Sequence, residues 1–285
     1  MLLNCGHHSL DLSSPVVMGV LNVTPDSFSD GGLFLRRDAA LEQARRMVGA
    51  GASVIDVGGE STRPGAAAVG VDEELERVIP VVESLVAELE VPISVDTSKP
   101  AVMAAAIAAG AAMINDVTAL GASGALPVVA RSQVAVCLMH MQGEPRNMQS
   151  SPRYDDVLRD VHQFLAGRVA ACEAAGMDRS RIVIDPGFGF GKTLEHNIAL
   201  LAGLEEFTRD GLPVLAGLSR KSMIGTLTGR APGERLAGSI ALAALAVMHG
   251  AAIVRAHDVA ATVDAVKIAA AVRREAARRS TGWSQ

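Results

Sequence analysis

The sequence predicts a (β/α)8 barrel, and three observations support this prediction. Eight short apolar runs recur along the 285 residues, and most are continuous, which is typical of strands buried on both faces. Segments of helix length separate most of these runs. No proline- or serine-rich linker divides the chain, so we expect one domain over 1–285 with a core at about 15–272. A doubly wound open sheet is the alternative, but eight strand–helix units in about 250 residues fit the barrel better.

The eight predicted strands are spaced so that a helix fits after most of them. Residues 2–14 precede the first strand, and we expect them to form a short hairpin that closes the bottom of the barrel. The predicted strands are VVMGVLN (16–22), SVIDV (53–57), PISVD (92–96), MIND (113–116), VAVCLMH (134–140), RIVID (181–185), PVLAGLS (213–219) and AIVRAHD (252–258).

The intervening helices are indicated by apolar residues three and four positions apart. A glycine lies shortly before several of the strands, where the end of a helix favours a residue with a left-handed backbone. These glycines are Gly51, Gly110, Gly176 and Gly250. The clearest helical segments are residues 39–48, 75–89, 101–109 and 157–175.

Composition argues against several classes of protein. Hydrophobic residues make up 49% of the chain and charged ones 20%, which excludes global disorder, and the net charge of −5 gives no general footprint for nucleic acid. The uncharged run 236–254 is long enough to cross a bilayer, but it is alanine-rich and interrupted by Gly250, so we predict a buried helix, then a strand, and no membrane contact. Cys5, Cys137 and Cys172 lack metal or disulfide spacing, and no signal peptide is recognised. We therefore expect a reducing compartment, the cytoplasm.

The stretch DPGFGFGKT (185–193) lies between a predicted strand and a predicted helix, which is the layout of a nucleotide phosphate loop. Two features argue against that function. The phosphate loop requires glycine where this chain has Pro186, and Asp185 places a negative charge at the mouth of the loop. The stretch therefore raises the question of what this carboxylate recognises.

Each predicted strand ends in, or is followed by, a polar residue. The carboxyl ends of all strands of a parallel barrel open on one face, where active sites are built. A single polar residue there could equally cap the next helix, and Asp56, before the Gly58-Gly59 turn, is the one that we favour as structural. The polar residues are Asn22, Asp56, Asp96, Asn115, Asp116, His140, Asp185, Ser219, Arg255 and His257.

Two connections at this face, 23–37 and 58–71, are long and irregular, and we predict that they are lids over a site. Basic residues reach the same face. Arg63 lies in the second connection, and Lys221 and Arg255 follow the last two strands, near the usual phosphate site of this fold. These cations could instead pair with acids, and for Arg220 we favour that alternative.

The acids and amides at this face predict a second kind of contact. A carboxylate accepts two parallel N–H bonds from a ring that presents an N–H beside an amino group, and an amide offers both a donor and an acceptor. Guanine-like and pterin-like rings have that edge, and arginine offers a bidentate fork to phosphate oxygens. Asp96, Asn115 and Asp185 thus predict a flat heterocycle deep in the barrel, with a phosphate nearer the rim.

Eight motifs, in order along nearly the whole chain, resemble those of dihydropteroate synthases. The first two are long and highly specific, and only the first 15 residues and the tail after about 272 lie outside the resemblance. The motifs are MGVLNVTPDSFSDGG (18–32), DVGGESTRPG (56–65), SVDT (94–97), NDV (115–117), MHMQGEP (139–145), DPGFGFGKTLEHN (185–197), GLSRKS (217–222) and RAHDV (255–259).

The resemblance implies a transferase of folate biosynthesis on a pterin-binding barrel. Such enzymes join 6-hydroxymethyl-7,8-dihydropterin diphosphate to 4-aminobenzoate, release pyrophosphate and are inhibited by sulfonamides. The resemblance also implies Mg²⁺ and a homodimer formed by helices of the later half of the barrel, to which residues 236–249 are a candidate contributor. Two alternatives stay open: a methyltetrahydrofolate-binding domain of a corrinoid methyltransferase, and a pterin-binding relative without turnover.

The resemblance also implies roles for single residues. Asp96, Asn115, Asp185 and Lys221 are expected to hold the pterin, and Lys192 is expected to be structural rather than a phosphate ligand. Asn22 is expected to hold Mg²⁺, with Asp30 as a second candidate. The residues expected to act on the diphosphate or the reacting centre are Arg63, Lys221, Arg255 and His257. Further substrate contacts are expected from Phe28, Thr62, Pro64, Phe190, Ser219, Ser222 and Ala256.

Overall fold

The computed structural model describes residues 1–24, 33–60, 69–144 and 147–282. Its centre is a sheet of eight parallel strands in the order β8-β7-β6-β5-β4-β3-β10-β9. A parallel bridge between Ile184 and Val214 joins the two edges, so the sheet curves into a barrel. The strands are β1 (Leu2–Cys5), β2 (His8–Asp11), β3 (Val16–Asn22), β4 (Val54–Gly58), β5 (Ile93–Asp96), β6 (Met113–Asp116), β7 (Ala135–Met139), β8 (Ile182–Asp185), β9 (Leu215–Ala216) and β10 (Ile253–Ala256).

Helices follow the barrel strands and cover its outer surface. The predicted helices are confirmed with ends that differ by a few residues, and the predicted barrel is confirmed with them. The helices are α1 (Leu33–Gly49), α2 (Val71–Glu88), α3 (Pro100–Ala108), α4 (Ala125–Ala130), α5 (Val157–Ala174), α6 (Leu194–Ala202), α7 (Glu205–Thr208), α8 (Ser222–Thr228), α9 (Leu236–Met248) and α10 (Val259–Gly282).

The N-terminal hairpin closes the bottom of the barrel, as predicted. Strands β1 and β2 pair antiparallel, and Leu3, Cys5 and Leu12 are buried. They pack in one cluster with the lowest inward-facing side chains of the barrel strands, among them Met18 and Met113. This end of the barrel interior is therefore filled with apolar atoms, as a packed barrel core requires.

The glycines predicted at helix ends are confirmed in the left-handed region. Gly51, Gly110, Gly176 and Gly250 have φ of 99°, 97°, 87° and 104°. The run 236–254 forms α9 and the start of β10, as predicted. Within the described ranges, no helix is both long enough and apolar enough to cross a membrane.

Two features of the chain differ from the prediction. The seventh strand of the barrel is regular only over Leu215–Ala216, and residues 217–221, most of them within or just after the predicted strand, are not in a strand. In addition to the two predicted long connections, a third runs from His140 to Asp156 between β7 and α5. Its Gln149 and Tyr154 donate hydrogen bonds to the backbone of the loop after β8, and the prediction missed this connection.

Candidate functional site

The carboxyl ends of the strands bring the predicted polar residues together at one end of the barrel. Parallel pairing aligns Asn22 with Gly58, Gly58 with Asp96, and Asp96 with Asn115. Because alternate residues of a strand point to opposite faces, these positions all face the barrel interior. Four neighbouring strands therefore present one row beneath the mouth, with a polar side chain at three positions and no side chain at Gly58.

An ionic cluster includes two residues of this row, Asp96 and Asn115. The Arg255 guanidinium donates from Nε to Asp56 Oδ2 at 2.6 Å and from Nη2 to Asp96 Oδ2 at 2.8 Å. Asn115 Nδ2 donates to the same Asp56 oxygen at 3.1 Å. Since two of the three guanidinium nitrogens are engaged, only Nη1 has no acceptor among the described residues. Arg255 is thus a residue of the barrel interior as well as a candidate phosphate ligand.

Asp56 is the residue that we favoured as structural, and its contacts fit that interpretation. It is fully buried and holds both Arg255 and Asn115 in place. Its other oxygen, Oδ1, has no hydrogen-bond partner in the described structure, and neither does Ser94 Oγ, which lies on the adjacent strand. Burial raises the pKa of Asp96 to about 7, although the charge of Arg255 acts to lower it. The cluster therefore contains buried polar atoms without hydrogen-bond partners in the described structure and a carboxyl group with a raised pKa.

Asp185 lies across the barrel from this cluster. Its Oδ1 accepts the Gly187 N–H at 2.7 Å, and the carboxyl is 5% exposed. Burial raises the pKa of Asp185 to about 6, against the opposing effects of that hydrogen bond and of Lys221. Burial also lowers the pKa of Lys221 to about 8, against the attraction of Asp185. Shifts of this size in one cleft are typical of a functional site.

The glycine-rich stretch after Asp185 turns sharply beneath the end of β7. Gly187 and Gly191 have φ of 72° and 61°, and a Cβ atom on them would lie 1.9 Å from the His140 oxygen and 2.2 Å from the Gln142 oxygen. Only glycine allows so close an approach of two backbone segments. The turn places the Phe190 ring 4.1 Å from Lys221 Nζ, on the wall of the cleft.

Lys192 does not face the cleft. Its ammonium group is buried and lies within hydrogen-bond distance of His140 Nδ1 and of the Phe190 oxygen. A phosphate-loop lysine would instead project toward the ligand. These contacts fit the expected structural role of Lys192, which stays a prediction, and His140, a predicted strand-end residue, is its side-chain partner.

The loop after β9 brings hydroxyl groups and a histidine to the rim. Ser219 Oγ lies 3.1 Å from His257 Nδ1 and accepts the His257 N–H at 3.3 Å. The next residue, Arg220, pairs with Asp258 through two nitrogens, which confirms the favoured structural interpretation. Arg220 has a φ of 60°, a costly conformation for a residue other than glycine, and Ser239 Oγ accepts its N–H at 2.9 Å. Ser222 begins α8, and Ala256 ends β10.

The space around Asn22 fits its expected role as a metal ligand. A Cβ atom placed on Gly58 would lie 3.7 Å from Asn22 Oδ1 and 4.0 Å from Asp96 Oδ2, so the missing side chain leaves an oxygen-lined gap there. Among the described residues, no group of three His, Cys, Asp or Glu side chains converges on a metal position. A single amide oxygen fits Mg²⁺, which usually keeps waters and binds substrate phosphates, better than it fits a metal that requires a full protein cage.

Several predicted residues lie outside the described part of the chain. These are Phe28, Asp30, Thr62, Arg63 and Pro64. The residues that flank the second long connection are described. Glu60 accepts the Val69 N–H at 3.0 Å, and Lys99 bridges Glu60 to the buried Glu74. The two ends of that connection are therefore joined by hydrogen bonds and ion pairs.

The fold and the site together define a class: a (β/α)8 barrel with buried carboxylates, amides and cations at the carboxyl ends of its strands, which is where enzymes of this fold bind small ligands. Comparison with known proteins agrees with this class. The model of the pterin binding enzyme family matches residues 18–257.

The dihydropteroate synthase of Escherichia coli (strain K12) is 55% identical over 91% of this chain and 92% of that protein. The dihydropteroate synthase of Yersinia pestis, solved with a sulfonamide drug, superposes with a TM-score of 0.91 at 53% identity and covers 96% of this chain and 100% of that one. The enzyme of Xanthomonas albilineans in complex with 7,8-dihydropteroate has a TM-score of 0.86 at 52% identity, with 96% and 99% covered. The chain belongs to the dihydropteroate synthases, within the pterin-binding enzymes.

Proposed function

We propose that this chain joins 6-hydroxymethyl-7,8-dihydropterin diphosphate to 4-aminobenzoate. The bond between the pterin methylene carbon and the diphosphate oxygen breaks, and the aniline nitrogen forms a bond to the same carbon. The products are 7,8-dihydropteroate, pyrophosphate and the proton lost by the nitrogen. The observation that supports this reaction most directly is the hydrogen-bonded cluster of Arg255, Asp56, Asp96 and Asn115 opposite Asp185 and Lys221.

The pterin ring is proposed to lie between the two halves of this cluster. Asp185 accepts from the N–H and amino groups of the pyrimidine edge, because only a carboxylate presents two acceptors side by side. Asn115 and Asp96 complete the recognition from the opposite strands, and Lys221 donates to a ring acceptor. Binding favours the ionised form of Asp185, since the donors of the ring stabilise the carboxylate.

The diphosphate is proposed to lie nearer the rim, where the leaving group gains negative charge as the C–O bond breaks. Arg255 Nη1, the His257 imidazole, the Ala256 backbone and Arg63 are the proposed contacts. Stabilising charge that develops in the transition state is a principal way to lower the barrier. Mg²⁺ held by Asn22 would supply further positive charge to the phosphates when bound.

The arylamine is proposed to bind along the Phe190 wall, with Ser219, Ser222, Thr62, Pro64 and Phe28 as further contacts. Its amino group is neutral near pH 7, so attack needs alignment of the nitrogen more than a strong base. A sulfonamide, which resembles 4-aminobenzoate, is expected to compete for this position, as the complex of the Yersinia pestis enzyme suggests.

A homodimer and a cytoplasmic location are also proposed. The neighbouring helices α9 and α10 expose several large apolar side chains, a feature typical of an interface between copies of a chain. They are Leu236, Leu245, Met248, Ile268 and Val272. The cytoplasm is proposed because Cys5, Cys137 and Cys172 are free, buried thiols. Light scattering of the wild type and of a Leu245→Glu variant tests the dimer.

The reaction is tested by incubating the protein with both substrates and Mg²⁺ and measuring pyrophosphate and dihydropteroate. Both products are expected in equal amounts, with loss of turnover after chelation of the metal. Pterin binding without pyrophosphate release would indicate a non-catalytic relative. Methyl transfer from methyltetrahydrofolate to a corrinoid protein would indicate the other alternative.

A further inference from the structure

Lys192 makes an unusual set of contacts for a lysine that takes no part in the proposed chemistry. It is 3% exposed, and its Nζ lies 2.9 Å from His140 Nδ1, 3.0 Å from the Phe190 oxygen and 3.4 Å from the His140 oxygen. Three acceptors match the three protons of an ammonium group. Burial lowers the pKa of His140 to about 3, so its ring is neutral and Nδ1 can accept. Burial also lowers the pKa of Lys192 to about 7, against the attraction of Asp185, and the three hydrogen-bond contacts offset part of the cost of the buried charge.

The loop that Lys192 holds is fixed by side chains rather than by a sheet or a helix. Three successive backbone oxygens, those of Gly189, Phe190 and Gly191, accept hydrogen bonds from Gln149, Lys192 and Tyr154 respectively. The Tyr154 hydroxyl is 2.7 Å from its acceptor. Buried backbone groups need such partners, and irregular segments obtain them from neighbouring side chains. Gln149 and Tyr154 belong to the third long connection. Lys192, which is buried, supplies the third of these side-chain hydrogen bonds to the loop.

The hydrogen bond from Lys192 to the Phe190 oxygen affects the wall of the cleft. The Phe190 ring packs against Val117, Met139 and Met148 in a small apolar cluster, and its face lies 4.1 Å from Lys221 Nζ. A shift of the Phe190 backbone would therefore move the ring directly, whereas Lys221 belongs to the separate segment before α8 and its ammonium group is also attracted by Asp185. Asp185 is less exposed to such a shift, because it is held by β8 and by the Gly187 N–H.

We propose that Lys192 is a positioning residue for the arylamine substrate: by holding the Phe190 carbonyl and the end of β7 together, it fixes the ring that forms the wall of the arylamine position. This inference rests on the function proposed above. A side chain that only filled space would affect stability and leave the discrimination between the two substrates unchanged. A positioning role predicts an effect on one substrate more than on the other.

The test is the Lys192→Met variant, which keeps the length of the side chain and removes the donor. We expect the KM for 4-aminobenzoate to rise at least about tenfold, since a buried acceptor loses its partner, while kcat and the KM for the pterin diphosphate change less than about threefold. Amide hydrogen exchange over residues 187–191 is expected to become faster. Tyr154→Phe removes only the hydroxyl at the Gly191 oxygen and should raise the same KM by about threefold.

The matched control is Arg181→Met at the opposite end of the barrel. Arg181 is also a buried cation, 5% exposed, and its guanidinium donates to the Val134 and Val129 oxygens. Its loss should lower the unfolding temperature without changing either KM. Equal changes of both KM values in Lys192→Met, or no change in either, would overturn the inference.

The remaining outcomes separate the inference from the proposed function. If the wild type releases no pyrophosphate, the proposed reaction fails, and hydrogen exchange still decides whether Lys192 fixes the loop. If Lys192→Met does not fold, as judged by circular dichroism, Tyr154→Phe decides: an unchanged KM for 4-aminobenzoate together with unchanged exchange over 187–191 would contradict the positioning role.

Discussion

The two ends of the barrel interior are built on opposite principles. At the bottom, Leu3, Cys5 and Leu12 of the hairpin pack against apolar side chains of the strands. At the mouth, the barrel strands carry buried carboxylates such as Asp185 and a partly buried cation, Arg255. The boundary runs along single strands: on β6, Met113 belongs to the apolar layer, and Asn115, two residues later, bonds to Asp56.

This difference indicates which end stabilises the protein and which end binds ligands. Burial of apolar area at the bottom stabilises the fold by roughly 25 cal/mol per Å². At the mouth, buried polar atoms such as Asp56 Oδ1 and Ser94 Oγ lack partners in the described structure, and the pKa values of Asp96 and Asp185 are raised. Such groups cost stability, and a ligand with complementary donors relieves that cost.

The largest expected effect comes from exchanging one cation for methionine at each end. Arg255→Met leaves Asp56 and Asp96 side by side without their cation, which lowers the unfolding free energy. It also removes a positive charge proposed to stabilise the leaving diphosphate, so kcat/KM should fall by roughly a hundredfold to a thousandfold. Arg181→Met at the bottom should keep kcat/KM within about twofold while it lowers the unfolding free energy, because two backbone oxygens lose their donor. Steady-state kinetics and urea unfolding measure the pair. Comparable kinetic losses in both variants would contradict the division between the two ends.

The second effect is on stability alone. Leu3 is 1% exposed and lies in the cluster that closes the barrel, so Leu3→Ala should lower the unfolding free energy by about 2–4 kcal/mol. The KM values should stay within about twofold of the wild type, because the cavity forms at the far end from the ligands. The exposed neighbour Leu2→Ala serves as the control and should change stability by less than about 0.5 kcal/mol. A change of substrate KM in Leu3→Ala would show that the two ends are coupled.

The third effect concerns recognition of the pterin by Asp185 at the mouth. Asp185→Asn keeps the shape of the side chain and its acceptor for the Gly187 N–H, but it turns one acceptor into a donor that faces the pterin edge. A buried mismatch costs about 1–3 kcal/mol, so pterin affinity should fall at least about tenfold with the fold intact. Calorimetry with a pterin ligand measures this. Undiminished affinity would remove Asp185 from the pterin site.

The sequence was sufficient for the fold because its signals are local. Continuous apolar runs, helical spacing and the glycines at helix ends each depend on a few neighbouring residues, and the alternation of strand and helix then leaves few topologies. The position of Asn22, Asp96, Asn115 and Asp185 at one rim follows from the same rule, since parallel strands end on the same face.

The pairing within the site could not be predicted in this way. Whether Arg255 meets Asp56 or a ligand depends on strand register and on rotamers across a barrel, over a separation of 199 residues. The contact of Lys192 with His140 spans 52 residues and involves the third long connection. That connection did leave a signal, since Gly143, Pro152 and two adjacent serines interrupt residues 140–156, but no helical or strand pattern marked its function.

The smallest expected effect is the pH dependence of the charged end. Folding raises the pKa of Asp185 from 3.8 to about 6. As the pH falls through about 6, the native state therefore takes up a proton while the unfolded state is still ionised, and the unfolding free energy rises. The gap in unfolding free energy between the wild type and Asp185→Asn should therefore shift in favour of the wild type by about 1 kcal/mol from pH 7 to pH 5. Asp96 acts in the same direction and His140 in the opposite one, but both are present in the two proteins and largely cancel in the difference. Pterin affinity should change in the opposite direction, because the ring donors require the ionised carboxylate. Lowering the pH should weaken pterin binding more in the wild type than in the variant. Urea unfolding and calorimetry at the two pH values measure both quantities. A difference in unfolding free energy that is the same at pH 7 and pH 5 would mean that Asp185 is ionised at both pH values in the ligand-free protein. The burial of this carboxylate at the mouth would then carry no cost in stability.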